Sequence, residues 1–429
     1  MLHRRQFLIR SLQGTSLLAV GTVVPQFLAK TALAAESSRK DTILVVVELT
    51  GGNDGLNTVI PYGDDLYHKA RKTLRLTKEQ VLRVDDHIGL NPGMQGFKQL
   101  LDQGQLAIIQ GVGYPNPDRS HFESMDVWQS ADPKRQMKNG WLARGVPNLQ
   151  DKKGNVPILQ FGQKELPLAV QGAPQGVISI NNEHPYRLEL GADPARQKAR
   201  RQLIEELTRM EDGPKTGLLQ FVQRRQLNTY TTLDQLKEVL ENKGANSEQP
   251  QPFDPSEFDP RTGQFRNNSL SSKLQLVARL IAKDLGTRVF YVSLDGFDTH
   301  SNQVDQHRSL LGQLANGINQ FFATLRNMSH DKRALVMTFS EFGRRVQENG
   351  SKGTDHGAAS CMFIAGPAVK GGPVGKHPSL AELDSGDLKF HTDFRQVYAT
   401  LLDGWLGCDS LAVLGGKFAP LPLLKATGT

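Results

Sequence analysis

Cysteine is nearly absent, with Cys361 and Cys408 the only two in 429 residues. They lie far apart and not as Cys-x-x-Cys, so no disulfide framework or dithiol redox motif underlies the fold. One disulfide in an oxidising compartment and a pair of buried thiols both fit them. Long apolar runs are missing as well. The stretch from Leu12 to Leu28 is interrupted by Gly14, Gly21 and Pro25, short of the about 20 apolar residues a membrane helix needs. No later segment is longer, so no transmembrane span is expected in the mature chain. Dense Lys/Arg runs interleaved with aromatics are also missing, which excludes nucleic acid as a partner. No Gly-x-Ser-x-Gly elbow is present to carry a serine nucleophile, and no internal repeat is evident.

The N-terminus has the three regions of an export signal. Arg4, Arg5 and Arg10 form a charged region, the interrupted apolar stretch follows, and Ala32-Leu33-Ala34 fits small-x-small cleavage. Arg4-Arg5 followed by Gln6-Phe7-Leu8 matches the twin-arginine pattern. Residues 1–34 therefore read as a twin-arginine signal, and the mature protein as periplasmic or secreted. A cofactor such as a metal, loaded in the cytoplasm, is one physical reason to travel folded. The signal holds Arg4, Arg5, Arg10 and Lys30 and no acid, so removing these four cations takes the formal charge from +7 to +3.

Residues 35–429 read as one α/β domain. Asp41 to Thr50 (DTILVVVELT) is a continuous β-branched run, the pattern of a strand buried on both faces. Similar runs recur at 106–111, 288–294, 334–339 and 362–365. Helix-like stretches lie between them at 94–103, 270–285 and 303–325. Alternating strands and helices predict a mostly parallel central sheet with helices on both faces. Residues 193–268 differ: a charged helical stretch leads into a Pro-rich loop, and the whole reads as a helical and loop insertion.

Polar clusters fall just past the predicted strands, where open α/β sheets bind ligands. The first is Gly51-Gly52-Asn53-Asp54-Gly55-Leu56-Asn57, in which Asp54 is either a hard-metal ligand or a turn brace. The second, Asp295 to His300, combines Asp298 and His300, a carboxylate and an imidazole suited to zinc or manganese. Glu341 and Arg344 follow the strand at 334, and Asp355-His356 sits between glycines a little further on. A fifth stretch, 116–126, sets Arg119, Ser120 and His121 side by side. Adjacent side chains diverge, so Ser120 and His121 do not read as a hydrolase dyad.

The stretches GGNDGLNTVIPY, GVGYPNPDRSHFESMDVWQ, GFDTHSNQ, SEFGRRVQENGSKGTDHGAAS and GGPVGKHPSL resemble the domain-of-unknown-function 1501 family over about residues 42–407. That family is placed near the alkaline phosphatase and sulfatase superfamily, whose members carry two metals on an α/β core. The resemblance implies Asp54 as the first metal-binding aspartate, and Asp298 with His300 as a metal loop. It also implies His356 as a ligand, in a segment like the Gly-Thr-Asp-His of phosphopentomutases. There are two departures. Glu341-Phe342 stands where superfamily enzymes have Asp-His, and the position of the nucleophilic threonine is Pro117, leaving Ser120 as the nearest hydroxyl.

The resulting expectation is a metal-dependent hydrolase of a small phosphate or sulfate ester. Its metal ligands would be Asp54, Asp298, His300, Glu341, Asp355 and His356, holding one or two divalent ions such as zinc or manganese. Ser120 and His121 are the candidate catalytic residues, and Asn57, Arg119 and Arg344 the candidate substrate-binding side chains. The alternative is a non-catalytic relative that binds a ligand or another exported protein.

Overall fold

Strand β1 (Ile43–Leu49) is buried along its whole length, and its alternating residues supply two different cores. Ile43, Val45, Val47 and Leu49 pack on one side of the sheet, and Leu44 and Val46 on the other. Such a strand can only be central, and its neighbours make it so. The other main strands are β2 (Leu106–Gly113), β3 (Ile158–Phe161), β4 (Ile178–Ile180), β5 (Val289–Leu294), β6 (Ala334–Ser340), β7 (Ser360–Ala365), β8 (Gly372–Val374) and β9 (Thr392–Asp393). They form one nine-stranded sheet in the order β8-β2-β7-β6-β1-β5-β3-β4, with β9 also beside β2. β1 runs parallel to both neighbours, pairing Leu44 with Val289 and with Leu335. Only β7 runs the other way, antiparallel to β6 and β2. The mostly parallel α/β architecture read from the sequence is the one observed.

The computed structural model describes residues 41–145, 149, 156–162, 165–174, 176–180 and 269–426, with the backbone of two short paired strands, Phe258–Asp259 and Gln264–Phe265. The signal at 1–34 lies outside the described residues, as does the 193–268 insertion apart from that hairpin.

One face of the sheet is covered by helices α1 (Gln95–Asp102), α3 (Leu270–Ala282) and α4 (Gln303–Asn327), which share its core. The opposite face is covered by α2 (His121–Ser130) and α5 (Phe394–Leu401). There Trp128 stacks on Phe394 at 4.4 Å and on Phe339 at 5.6 Å. Each fully buried side chain of this size contributes about 1.5–3 kcal/mol, so both faces are firmly held. Cys361 belongs to the first core and Cys408 to the second. Both are free and buried, which corrects the disulfide reading, because the sheet stands between them. Among the described residues no helix is long and apolar enough to cross a membrane.

Parallel β1, β5 and β6 all end at one edge. The loop from β6 back to β7 lies at that edge too, because β7 starts there. Topology alone thus gathers Gly51 to Asp54, Asp295 to His300, Ser340 to Arg344 and Asp355-His356.

Candidate metal centre

Three imidazoles surround one carboxylate oxygen at this edge. Nε2 of His300, His356 and His121 lie 3.1, 3.3 and 3.6 Å from Asp298 Oδ1. The Nε2 atoms of His300 and His356 are 2.9 Å apart. The candidate ligand atoms of His121, Asp298 and His356 all fall within 4.8 Å of one another.

In each ring Nδ1 faces an acceptor. His121 Nδ1 donates to Glu341 Oε1 at 2.7 Å, and His356 Nδ1 to the Arg119 carbonyl at 2.8 Å. His300 Nδ1 faces Asp355 Oδ1 at 3.4 Å. A proton held on Nδ1 leaves the lone pair on Nε2, the usual arrangement behind metal-ligating histidines. With the protons on Nδ1, a cation between the two Nε2 atoms would hold these rings together. The donor set therefore fits a metal ion held by His121, His356 and Asp298, with His300 Nε2 beside the last two. Imidazole nitrogens with one carboxylate are not the donor set of magnesium or calcium, which prefer oxygen.

The backbone is shaped for this convergence. Gly51 has φ of +114°, and a Cβ there would lie 2.3 Å from Asp298 N. Only glycine lets the β1 loop press against the Asp298 loop. Buried Arg344 ties the loops together. Its Nε donates to Gly52 O, Nη1 to Thr354 O, and Nη2 to Phe297 O and to Asp298 Oδ1 at 2.7 Å. Burial works to raise the Asp298 pKa, but the hydrogen bond and charge of Arg344, with smaller help from His356 and His300, hold it below the usual value. Hydrogen bonding to Glu341 raises the His121 pKa against the opposing effect of burial, and burial chiefly lowers that of His356.

Several residues singled out in the sequence do other work. Asp54 is fully buried in a two-pronged pair with Arg71, at 2.6 and 3.0 Å. The guanidinium takes both oxygens, and Asp54 is not among the converging ligand atoms. Asn57 is also structural: its Nδ2 donates to Leu74 O and its Oδ1 accepts from Tyr67. Glu341 and Asp355 stand behind His121 and His300 and orient those rings. Ser120 is the N-cap of α2, its Oγ accepting from Glu123 N at 3.5 Å. Ser120-His121-Phe122-Glu123 is a helix-start signal of the S-x-x-E type, which places His121 at the first helical position and accounts for the serine without chemistry. Arg119 points its guanidinium at Asp387, and the Arg344 side chain is buried within the loops. His121, a candidate catalytic residue in the sequence, joins the candidate ligands.

A cleft of about 600 Å³ opens beside the centre. Its floor includes Thr50, Gly51, Asp298 and Glu341, one wall is the α2 face from His121 to Gln129, and the other is 165–171.

A family model described as "Protein of unknown function (DUF1501)" matches residues 41–409. The chain belongs to this DUF1501 family. No curated protein matches the sequence. Among solved structures, the PsFucS1 sulfatase from Pseudoalteromonas sp. is 11% identical with a TM-score of 0.38, over 92% of this chain and 72% of that one. A putative sulfatase from Bacteroides thetaiotaomicron is 10% identical with a TM-score of 0.34, over 88% and 75%. The TAB5 alkaline phosphatase is 13% identical with a TM-score of 0.29, over 76% and 92%. Scores of this size leave the chemistry of this DUF1501 member to be argued from its own geometry.

Proposed function

We propose that this DUF1501 protein is an exported, metal-dependent hydrolase of phosphate or sulfate esters that works with a single metal site. The observation that carries the reading is the convergence of three Nε2 atoms on Asp298 Oδ1, with an acceptor at the Nδ1 of each ring. A zinc-like ion bound there supplies Lewis acidity toward an ester oxygen and toward water. His121, His356 and Asp298 hold the ion with His300 beside them, while Glu341, Asp355 and the Arg119 carbonyl fix the rings. In the reaction water adds across the ester, its oxygen going to phosphorus or sulfur and a proton to the departing alcohol. Water is the nucleophile in this reading, because the Ser120 hydroxyl caps α2. The twin-arginine pattern at Arg4-Arg5 supports export of the folded, metal-loaded chain to the periplasm or beyond.

A second reading has one observation in its favour. Ser120, Arg119 and Arg344 are engaged elsewhere, and among the described residues no lysine or arginine lines the cleft. A protein that binds a ligand or another exported protein would look the same.

Elemental analysis of the protein purified from its export compartment, with Asp298→Ala and His356→Ala beside it, tests the reading. Stoichiometric zinc, manganese or iron in the wild type, reduced in both variants and accompanied by ester turnover, supports the hydrolase. A folded wild type that takes up no metal from excess zinc removes it. Metal without turnover across a panel of phosphate and sulfate esters selects the binding protein.

A further inference from the structure

The cleft beside the metal centre has a one-sided charge. Among the described residues its ionisable lining is Glu48, Asp126, Glu165, Asp298 and Glu341 with His121, and no lysine or arginine. Three of these acids already have partners. Glu48 accepts from Gln129 and Tyr291, Glu341 from His121 and Gly51 N, and Asp298 from Arg344. Asp126 and Glu165 have no side-chain hydrogen bond or ion pair among the described residues. Burial raises the Asp126 pKa, and no cation offsets it. One helical turn before Asp126, on the same face of α2, Phe122 is 85% exposed, and both side chains line the cleft. A bare aromatic ring and two unpaired carboxylates around one opening are complementary to an organic cation, which gains from the ring face and from both charges. They repel any second anionic group.

We infer that the ligand of this cleft is an ester of an amino alcohol or amino sugar, with its ammonium group read by Phe122, Asp126 and Glu165. The ester group itself faces His121 and Asp298, and this half of the inference rests on the hydrolase proposed above. Polyanionic esters, such as heavily sulfated glycans, are excluded by the same walls.

Calorimetric titration of the zinc-loaded, exported chain with 2-aminoethyl phosphate and its near-isostere 2-hydroxyethyl phosphate tests the assignment. The expected result is at least about tenfold tighter binding of the aminoethyl ester. The ratio should shrink as salt is raised and collapse toward one in Asp126→Asn/Glu165→Gln and in Phe122→Ala. These substitutions alter cleft-lining side chains outside the buried core, and circular dichroism checks that the variants fold. Equal affinity for the two esters, no measurable affinity for the aminoethyl ester, or a preference that survives in the variants overturns the assignment. A preference without turnover of either ester leaves the assignment standing and removes the hydrolase.

Discussion

Arg119 closes Nε and Nη2 on Asp387 Oδ2, at 2.9 and 2.6 Å, and its carbonyl oxygen accepts from His356 Nδ1. One ion pair thus fixes the segment that orients one candidate ligand and, two residues later, starts the helix with another, His121. Asp387 is nearly buried, so the pair is better shielded from salt than a surface pair. Asp387→Asn keeps the shape and removes the charge. Zinc affinity, measured by competition with a chelating dye, should fall about tenfold, the low end of the loss seen when a ligating histidine loses its outer partner, because Asp387 acts one step further out through Arg119. An unchanged affinity would mean that Arg119 holds His356 without Asp387.

Asp54 and Arg71 give a different expectation. Both side chains are fully buried, and Gln303 also donates to Asp54. Removing one partner of such a pair leaves an uncompensated charge in the interior. Asp54→Ala should cost about 3–5 kcal/mol of folding stability by denaturant titration. Zinc affinity of the fraction that folds should stay within about twofold of the wild type, a distinction well inside the tenfold span of 1.4 kcal/mol. Loss of metal with stability unchanged would return Asp54 to the ligand set.

These two pairs mark where the sequence is legible. The β-branched run at 42–49 has apolar residues at both parities, which demands a strand covered on both faces, and β1 is that strand. The loops after β1, β5 and β6 were readable because parallel strands deliver their ends to one edge. Asp298, His300 and His356 were readable there as donor residues of the right chemistry. Asp54 has the same local pattern, a glycine-flanked acid after a strand. What separates it is Arg71, seventeen residues on, and no local rule says that this arginine turns inward. The role of His121 was hidden for a related reason: its orienting partner Glu341 is 220 residues away. Ser120 was the opposite case, since its capping signal with Glu123 was local and readable.

His307 supplies the pH dependence. Its ring is buried on α4 beside Asn53, to whose Oδ1 its Nε2 donates at 2.9 Å. Burial, chiefly, pushes its pKa down to about 4 from an unfolded value near 6.5. Between these values the unfolded chain binds a proton that the folded chain does not. Stability is therefore fully present above about pH 6.5 and declines as pH falls toward 4, by up to about 3 kcal/mol. His307→Gln retains a donor for Asn53 and should flatten this slope. Denaturant midpoints from pH 7 to pH 4.5, taken with a chelator present to remove any metal linkage, make the comparison. Parallel wild-type and variant curves would assign the acid sensitivity to other groups.

Gly353 is the sharpest steric test of the centre. A Cβ at this position would lie 2.2 and 2.3 Å from the carbonyl carbon and oxygen of His300, and 2.5 Å from Ser301 N. These are backbone atoms, so no side-chain rotation relieves the contact. The β6–β7 loop carries Asp355 and His356, and the loop after β5 carries Asp298 and His300. A methyl group between them must push His356 away from Asp298 and His300. Gly353→Ala should therefore lower zinc affinity by at least about tenfold, with little change in melting temperature because the sheet and both cores lie elsewhere. Gly350→Ala is the matched control in the same loop, as nothing lies within 4 Å of its Cβ position. If both variants bind zinc like the wild type, contact between these loops does not set the spacing of the imidazoles. If both lose zinc equally, loop flexibility rather than the clash at His300 is responsible.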